Sequence, residues 1–161
     1  MKIGGSDRSR IPEGGEEGVT IHLRISSRRE FIDPVHKLSE QIIQRAGFNE
    51  DECYWLVTAI REGIINAVLH GNRERPDTYV NVEFEVGWDH LRITVTDEGE
   101  GFDPENLPDP VSEEHLLDNA GRGVYLMRQL MDEVSFTFPE GGGTTLSMVK
   151  SLRASRKVGE S

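Results

Sequence analysis

The sequence predicts an α+β fold: a two-layer α/β sandwich in which a mainly antiparallel sheet carries three helices on one face. Two patterns carry that expectation, since five segments alternate apolar and polar residues with period two and three others place apolar residues at helical spacing. Size sets the third bound, because 161 residues with 35% hydrophobic content suffice for one buried core and not for two.

The period-two segments are Val19/Ile21/Leu23/Ile25, Val80/Val82/Phe84/Val86, Leu91/Ile93/Val95, Val134/Phe136/Phe138 and Leu146/Met148. Gly87, Trp88, Asp89 and His90 join the second to the third and suit a hairpin, so those two strands should be antiparallel. The first helix opens with Asp33 as N-cap and Pro34 at the first helical position, runs through Val35, Leu38, Ile42 and Ala46, and stops at Gly47. In the second, Asn49 and Glu52 have capping-box spacing, and Cys53, Leu56, Val57, Ile60, Ile64, Ala67 and Val68 line one face before Gly71. Trp55, Ile65 and Leu69 are expected to widen that buried face. The third helix starts near Gly121 and places Val124, Met127, Leu130 and Met131 at core spacing.

Residues 1–18 combine Gly and charge with almost no apolar side chains and are expected to form a disordered tail. Residues 19–152 should form the domain, and 153–161 a short C-terminal tail. A net charge of −11, from 18 basic and 29 acidic residues, argues against a protein that grips nucleic-acid backbones. Cys53 is the single cysteine, which excludes an internal disulfide framework and reads as a small buried hydrophobe. Without an apolar run of membrane-spanning length or a signal-peptide core, a soluble cytoplasmic protein with no membrane partner is expected.

Three constellations break the structural pattern. Glu62, Asn66 and His70 stand at i, i+4 and i+8 on one stripe of the second helix, beside Ala59 and Gly63, whose small side chains could leave room for something bulky. Asp97-Glu98-Gly99-Glu100-Gly101-Phe102-Asp103 follows the third strand, where glycines permit close backbone approach and a carboxylate can accept from an amino group. Gly121-Arg122-Gly123 opens the third helix, where free N–H groups, the positive dipole end and a guanidinium favour phosphate. Each alone also reads as ordinary helix or turn chemistry.

In this order, and with EGIINAVLHGN at 62–72, TDEGEGFD at 96–103, GRGVYLMRQLMDEV at 121–134 and GGGTTL at 141–146, the chain resembles the GHKL ATPase/kinase superfamily. More narrowly it resembles the bacterial anti-sigma factor serine/threonine kinases of partner-switching pathways. The resemblance implies a Bergerat-type ATP-binding fold with ATP and Mg²⁺ as cofactors. It implies Asn66 as the Mg²⁺ ligand, Asp97 as acceptor for the adenine amino group, and Gly99 and Gly101 as points of close approach. Gly121, Arg122 and Gly123 would meet the phosphates, Thr145 would add a hydroxyl on the adenine side, and Glu62 would be the general base.

The implied partners are a STAS-domain anti-sigma factor antagonist, phosphorylated on a serine, a sigma factor that is sequestered, and a second copy of the chain in a homodimer. A sensor histidine kinase would carry an upstream dimerisation helix pair, which the 18-residue tail cannot hold. An ATP-dependent binding module without phosphotransfer, regulating a non-sigma partner, is the alternative. One departure from the narrower family stands ahead of the third helix, where LLDNAGRG has no Lys or Arg before Arg122. From Asp97 to Asp118 there are nine acids and no Lys or Arg, so the remaining 20 acids and the 18 Lys and Arg nearly balance. That segment would be an acidic lid over the nucleotide or a docking surface for a basic partner.

Overall fold

The computed structural model describes residues 18–101 and 119–152, with residues 119–121 described by their backbone alone. The tails expected at either end lie outside these residues except for Gly18, and so does the acidic segment from residue 102 to residue 118. The elements are β1 (Val19–Ser26), α1 (Ile32–Ala46), α2 (Glu50–Ile65), β2 (Tyr79–Val86), β3 (His90–Thr96), α3 (Asn119–Leu130), β4 (Glu133–Thr137) and β5 (Thr145–Ser151). Their sheet has the order β1-β2-β3-β5-β4 and is antiparallel throughout, including the expected β2–β3 hairpin.

Strand register turns the sequence alternation into two apolar rows. One runs Ile21–Phe84–Ile93–Met148–Val134 and the other Leu23–Val82–Val95–Leu146–Phe136. Both face the helices, while Asn81, Glu83, Arg92 and Thr94 alternate onto the other face, where His22 Nδ1 lies 3.0 Å from Glu83 Oε2. Helix α2 is the middle of the helical layer, packed on α1 and α3, and buries Leu56, Ile60 and Ile64 almost completely. Gly63 sets how closely it descends, because a Cβ there would lie 2.8 Å from Leu146 Cδ2 and 3.3 Å from Met148 Cε. The space that Gly63 opens is filled by the sheet.

Local signals hold where the deciding contacts are local. The capping box closes as expected, with Glu52 N–H donating to Asn49 Oδ1 at 2.9 Å and Asn49 N–H to Glu52 Oε2 at 3.1 Å. Gly47 ends α1 with φ of 102°. Four expectations shift. A 3-10 turn at Arg29–Phe31 feeds α1 directly, so the helix starts at Ile32 with Phe31 as its N-cap residue. Asp33 instead binds Arg61 of α2 at 2.7 Å, a pairing that holds its carboxyl below the usual range. Trp55 is 50% exposed and packs edge-to-face on Tyr54, itself 65% exposed. With Leu56, Val57 and Ile60 facing the core, the 100° step between helical neighbours carries Trp55 to the flank. Strand β4 ends at Thr137, leaving Phe138 44% exposed, because Pro139 has no N–H with which to extend the ladder. Helix α3 begins at Asn119, two residues before Gly121.

If these packing terms rank as the burial suggests, Ile60→Ala should cost about 2–5 kcal/mol. Asn49→Ala should cost only about 1 kcal/mol. Urea unfolding of both variants measures the difference, and comparable losses would contradict a core centred on α2.

Candidate active site

The site begins where α2 loosens. Asn66 N–H still donates within the α-helical ladder, to the carbonyls of Glu62 and Gly63, but Asn66–Gly71 then winds as a π-helical turn. Asn72 N–H reaches five residues back to Ala67 O at 2.8 Å, and Glu74 N–H reaches Val68 O at 3.0 Å. Such wide turns absorb an extra residue and occur often at functional sites. Here the consequence is contact: a Cβ on Gly71 would sit 2.5 Å from Asp97 Oδ2. Past the turn, Arg73 and Glu74 both take left-handed φ of 52°. Arg29 secures that strained pair by gripping the Glu74 carboxylate at 2.6 and 3.0 Å.

Asp97 follows β3 directly and is 8% exposed. Its N–H donates to Thr144 O at 3.0 Å, while its Oδ1 accepts from Gly99 N–H at 2.8 Å and Thr144 N–H at 3.2 Å. Two neighbouring backbones press on this residue. A Cβ on Gly99 would collide with Gly71 O, and one on Gly143, whose φ is +92°, would collide with Asp97 O. Gly143 N–H also bonds Gly99 O at 2.7 Å, closing the β5 approach onto the Asp-x-Gly loop.

Between these walls lies a cavity whose floor is the end of the second apolar row, Val95, Leu146 and Phe136, together with Val124 of α3. Its polar lining is Asn66, His70, Arg73, Asp97, Glu100 and Thr144, with Gly71 and Gly101 at the backbone approaches. Asn66 Oδ1 is buried and has no hydrogen-bond partner among the described residues. Gly123 brings α3 against the same end, since a Cβ there would lie 2.9 Å from Glu62 Oε2 and 3.6 Å from both polar atoms of the Asn66 amide.

The structure therefore gathers Glu62, Asn66 and Gly123 into one cluster, of which Asn66 lines the cavity, and Asp97, Gly99 and Gly101 into another, of which Asp97 and Gly101 line it. Gly121 is in the first turn of α3, and Arg122 is exposed just beyond it. Thr145 lies outside the lining: its hydroxyl meets Thr96 Oγ1 at 3.3 Å, and both side chains point away from the core. Thr144 takes the cavity position instead. Strand parity carried that signal, because Leu146 faces the core and a residue two before it shares its face. Gly71 and Gly143 were also missed as site residues, although both stand in stretches that the sequence singled out.

Burial raises the Asp97 carboxyl above its ordinary range, with the two backbone N–H groups pulling against it. Burial likewise raises Glu62, opposed by the positive fields of Arg61, Arg122 and His70. Each cluster thus holds a carboxyl group whose burial disfavours its charge.

Among the described residues no helix is long and apolar enough to cross a membrane. The histidine kinase-like ATPase domain family matches residues 25–150. The serine-protein kinase RsbW of Bacillus subtilis (strain 168) is 31% identical over 142 residues, covering 84% of this chain and 88% of that relative. RsbW of Staphylococcus aureus (strain bovine RF122 / ET3-1) is 29% identical over 140 residues, covering 83% and 87%. The crystal structure of the RsbU and RsbW domains of Rv1364c from Mycobacterium tuberculosis aligns over 82% of this chain with a TM-score of 0.56 and 20% identity, a likeness of fold. This chain spans 32% of that one.

The fold is that of an ATP-using domain, and the chain belongs to the histidine kinase-like ATPase domain family, within it to the serine-protein kinases. It is a protein serine/threonine kinase, and the resemblance to anti-sigma factor kinases read from the sequence stands.

Raised carboxyl pKa values have a consequence for stability. Below about pH 4 Glu62 is protonated both folded and unfolded and costs nothing. As pH rises through its folded-state value, the buried charge lowers stability. Glu62→Gln should therefore melt higher than the parent at pH 7 and level with it near pH 4. Calorimetric melts across that range check the sign, and a gain undiminished at low pH would contradict it.

Proposed function

We propose that this chain is an anti-sigma factor kinase that binds Mg²⁺-ATP in the cavity, transfers the γ-phosphate to a serine of a STAS-domain anti-sigma factor antagonist, and sequesters a sigma factor. The functional unit is the domain at residues 19–152, acting in the cytoplasm as a homodimer. The observation that carries the reading is the buried, unpartnered Asn66 Oδ1, one helical turn from Glu62 and packed with it against Gly123.

A neutral amide oxygen left without a donor fits a hard cation. Mg²⁺ is usually held by one or two protein oxygens together with substrate phosphates and water, and the Asn66 amide oxygen would be one of them. When bound, the ion would neutralise phosphate charge. Asp97 accepts from the adenine amino group through the carboxylate that Gly99 and Thr144 orient. Gly99 and Gly101 let the loop pass beside the nucleotide, while Thr145 supports that edge through Thr96. At the α3 start, Gly121 offers its first-turn N–H and Arg122 its guanidinium to the phosphates, and Gly123 leaves the space beside Glu62 and Asn66 in which they approach.

Glu62 takes the proton of the attacking serine hydroxyl as its oxygen bonds to the γ-phosphorus and the bond to the β-phosphate oxygen breaks. ADP leaves with the electron pair of that bond. Desolvation makes Glu62 a stronger base than an exposed glutamate, and the rest of phosphoryl transfer is positioning and charge neutralisation. A binding module that orders itself around ATP would need Asp97 and Asn66, and would gain nothing from Glu62.

Transfer of labelled γ-phosphate to a STAS-domain partner tests the reading. Glu62→Gln should lower transfer by about 10²–10⁴-fold with ATP affinity retained. Asn66→Ala should lose the Mg²⁺ dependence of ATP affinity. No transfer from the parent protein to a partner that it demonstrably binds would favour the binding module, and full transfer by Glu62→Gln would remove the base assignment.

A further inference from the structure

We propose that Asn72, together with Arg75, is a positioning element for base recognition, holding the Asp97–Glu98–Gly99 segment so that the Asp97 carboxylate keeps its aim into the cavity. The inference rests on the reading of Asp97 as the acceptor for the adenine amino group. Neither Asn72 nor Arg75 lines the cavity, so each acts through the loop rather than on the nucleotide.

Asn72 follows the π-helical turn and is fully buried, with 0% exposure. A buried amide has two donors and an acceptor to satisfy, and each is used. Its Nδ2 donates to Ser27 Oγ at 2.7 Å and to Tyr79 O at 2.9 Å. Its Oδ1 accepts from Glu98 N–H at 2.7 Å. The orientation is fixed by chemistry, since only the oxygen can face an N–H and only the nitrogen can face a carbonyl. One side chain thereby ties the end of β1, the start of β2 and the exit of β3 to a single point.

Glu98 is the residue so held, and two further groups complete the clamp. Arg75 donates to Glu98 O at 3.2 Å and to Asn72 O at 3.1 Å, and the Glu98 carboxylate accepts from Tyr79 N–H at 2.5 Å. Peptide planarity transmits the restraint. The Glu98 N–H belongs to the peptide that carries the Asp97 carbonyl, and the Glu98 carbonyl belongs to the peptide whose N–H bonds Asp97 Oδ1. Fixing both peptides fixes the Asp97 main chain at one and, at the other, the N–H that its carboxylate accepts from. An apolar residue at 72 would leave the Glu98 N–H without its partner, and an aspartate would turn a carboxylate oxygen toward the Tyr79 carbonyl.

The effect belongs to the base rather than the phosphates. Glu62 stands on α2, Asn66 opens the π-helical turn that follows it and Gly123 stands on α3, and among the described residues none of the three shares a hydrogen bond with the Asn72 or Arg75 side chain. Loosening the clamp should therefore blur discrimination between bases while sparing the contribution of the γ-phosphate.

Isothermal titration of the full chain with ATP, ADP and inosine triphosphate, in the presence of Mg²⁺, tests this. Inosine triphosphate replaces the exocyclic amino group with a carbonyl, so the parent should prefer ATP by more than about a hundredfold. Asn72→Ala should narrow that preference by about tenfold, the equivalent of a hydrogen bond, and leave the ATP-to-ADP ratio unchanged. Equal weakening of ATP and inosine triphosphate, with their ratio intact, would mark Asn72 as merely structural and overturn the proposal. A parent protein indifferent to the base would remove the Asp97 reading and this inference with it. If Asn72→Ala does not fold, Arg75→Ala decides. Its side chain is outside the core, and it should narrow the same ratio by about two- to threefold; an unchanged ratio overturns the proposal.

Discussion

Everything at this site depends on three backbones meeting more closely than side chains would permit. Gly71 at the end of the π-helical turn, Gly99 past β3 and Gly143 ahead of β5 crowd around Asp97, and a methyl group on any of them would collide with the carboxylate or with a neighbouring carbonyl. That seam joins the helical layer to the sheet at the place where the cavity opens. The wide turn at Asn66–Gly71 follows from it, because the chain must reach Asp97 while the Glu62–Asn66 stripe stays in its helical register. The left-handed pair Arg73 and Glu74 is the price of the exit, held in place by Arg29 from before α1.

Much of this was legible in the sequence wherever the deciding physics is periodic or local. Alternation gave the strands and their inward rows, and the Asn49/Glu52 box and Gly47 gave helix ends, because those contacts lie within a few residues. Asp33 was read as a cap from its neighbourhood, yet its partner is Arg61, twenty-eight positions away. The π-helical turn has no composition of its own. It arises from a closure between distant segments, so the sequence could place Glu62, Asn66 and His70 on a stripe but could not place Gly71 against Asp97.

Thr144 and Trp55 show the two ways in which a legible pattern was misapplied. For Thr144 the parity rule was sufficient: Leu146 points inward, hence Thr144 does and Thr145 does not, and the choice needed only the strand's phase. For Trp55 the apolar character of the residue outweighed its angle. A helix whose core stripe is already filled by Leu56, Ile60 and Gly63 has no room for an indole on that stripe, so the ring packs edge-to-face with Tyr54 at the flank.

The two buried carboxylates put the same physical effect to different uses. Asp97 is raised by desolvation but held by two backbone N–H groups, which fixes its geometry and leaves its charge to be completed by a donor in the cavity. Glu62 is raised by desolvation and opposed by the fields of Arg61, Arg122 and His70, with Gly123 packed against it. A carboxylate kept half from water costs stability at neutral pH unless something requires its basicity. In the proposed function, nucleotide binding is assigned to Asp97 and the Asn66 amide and requires no such group. On the proposed reading, the glycine that admits α3 to the Glu62 carboxylate belongs to the phosphotransfer site, and the burial that weakens the fold strengthens the base.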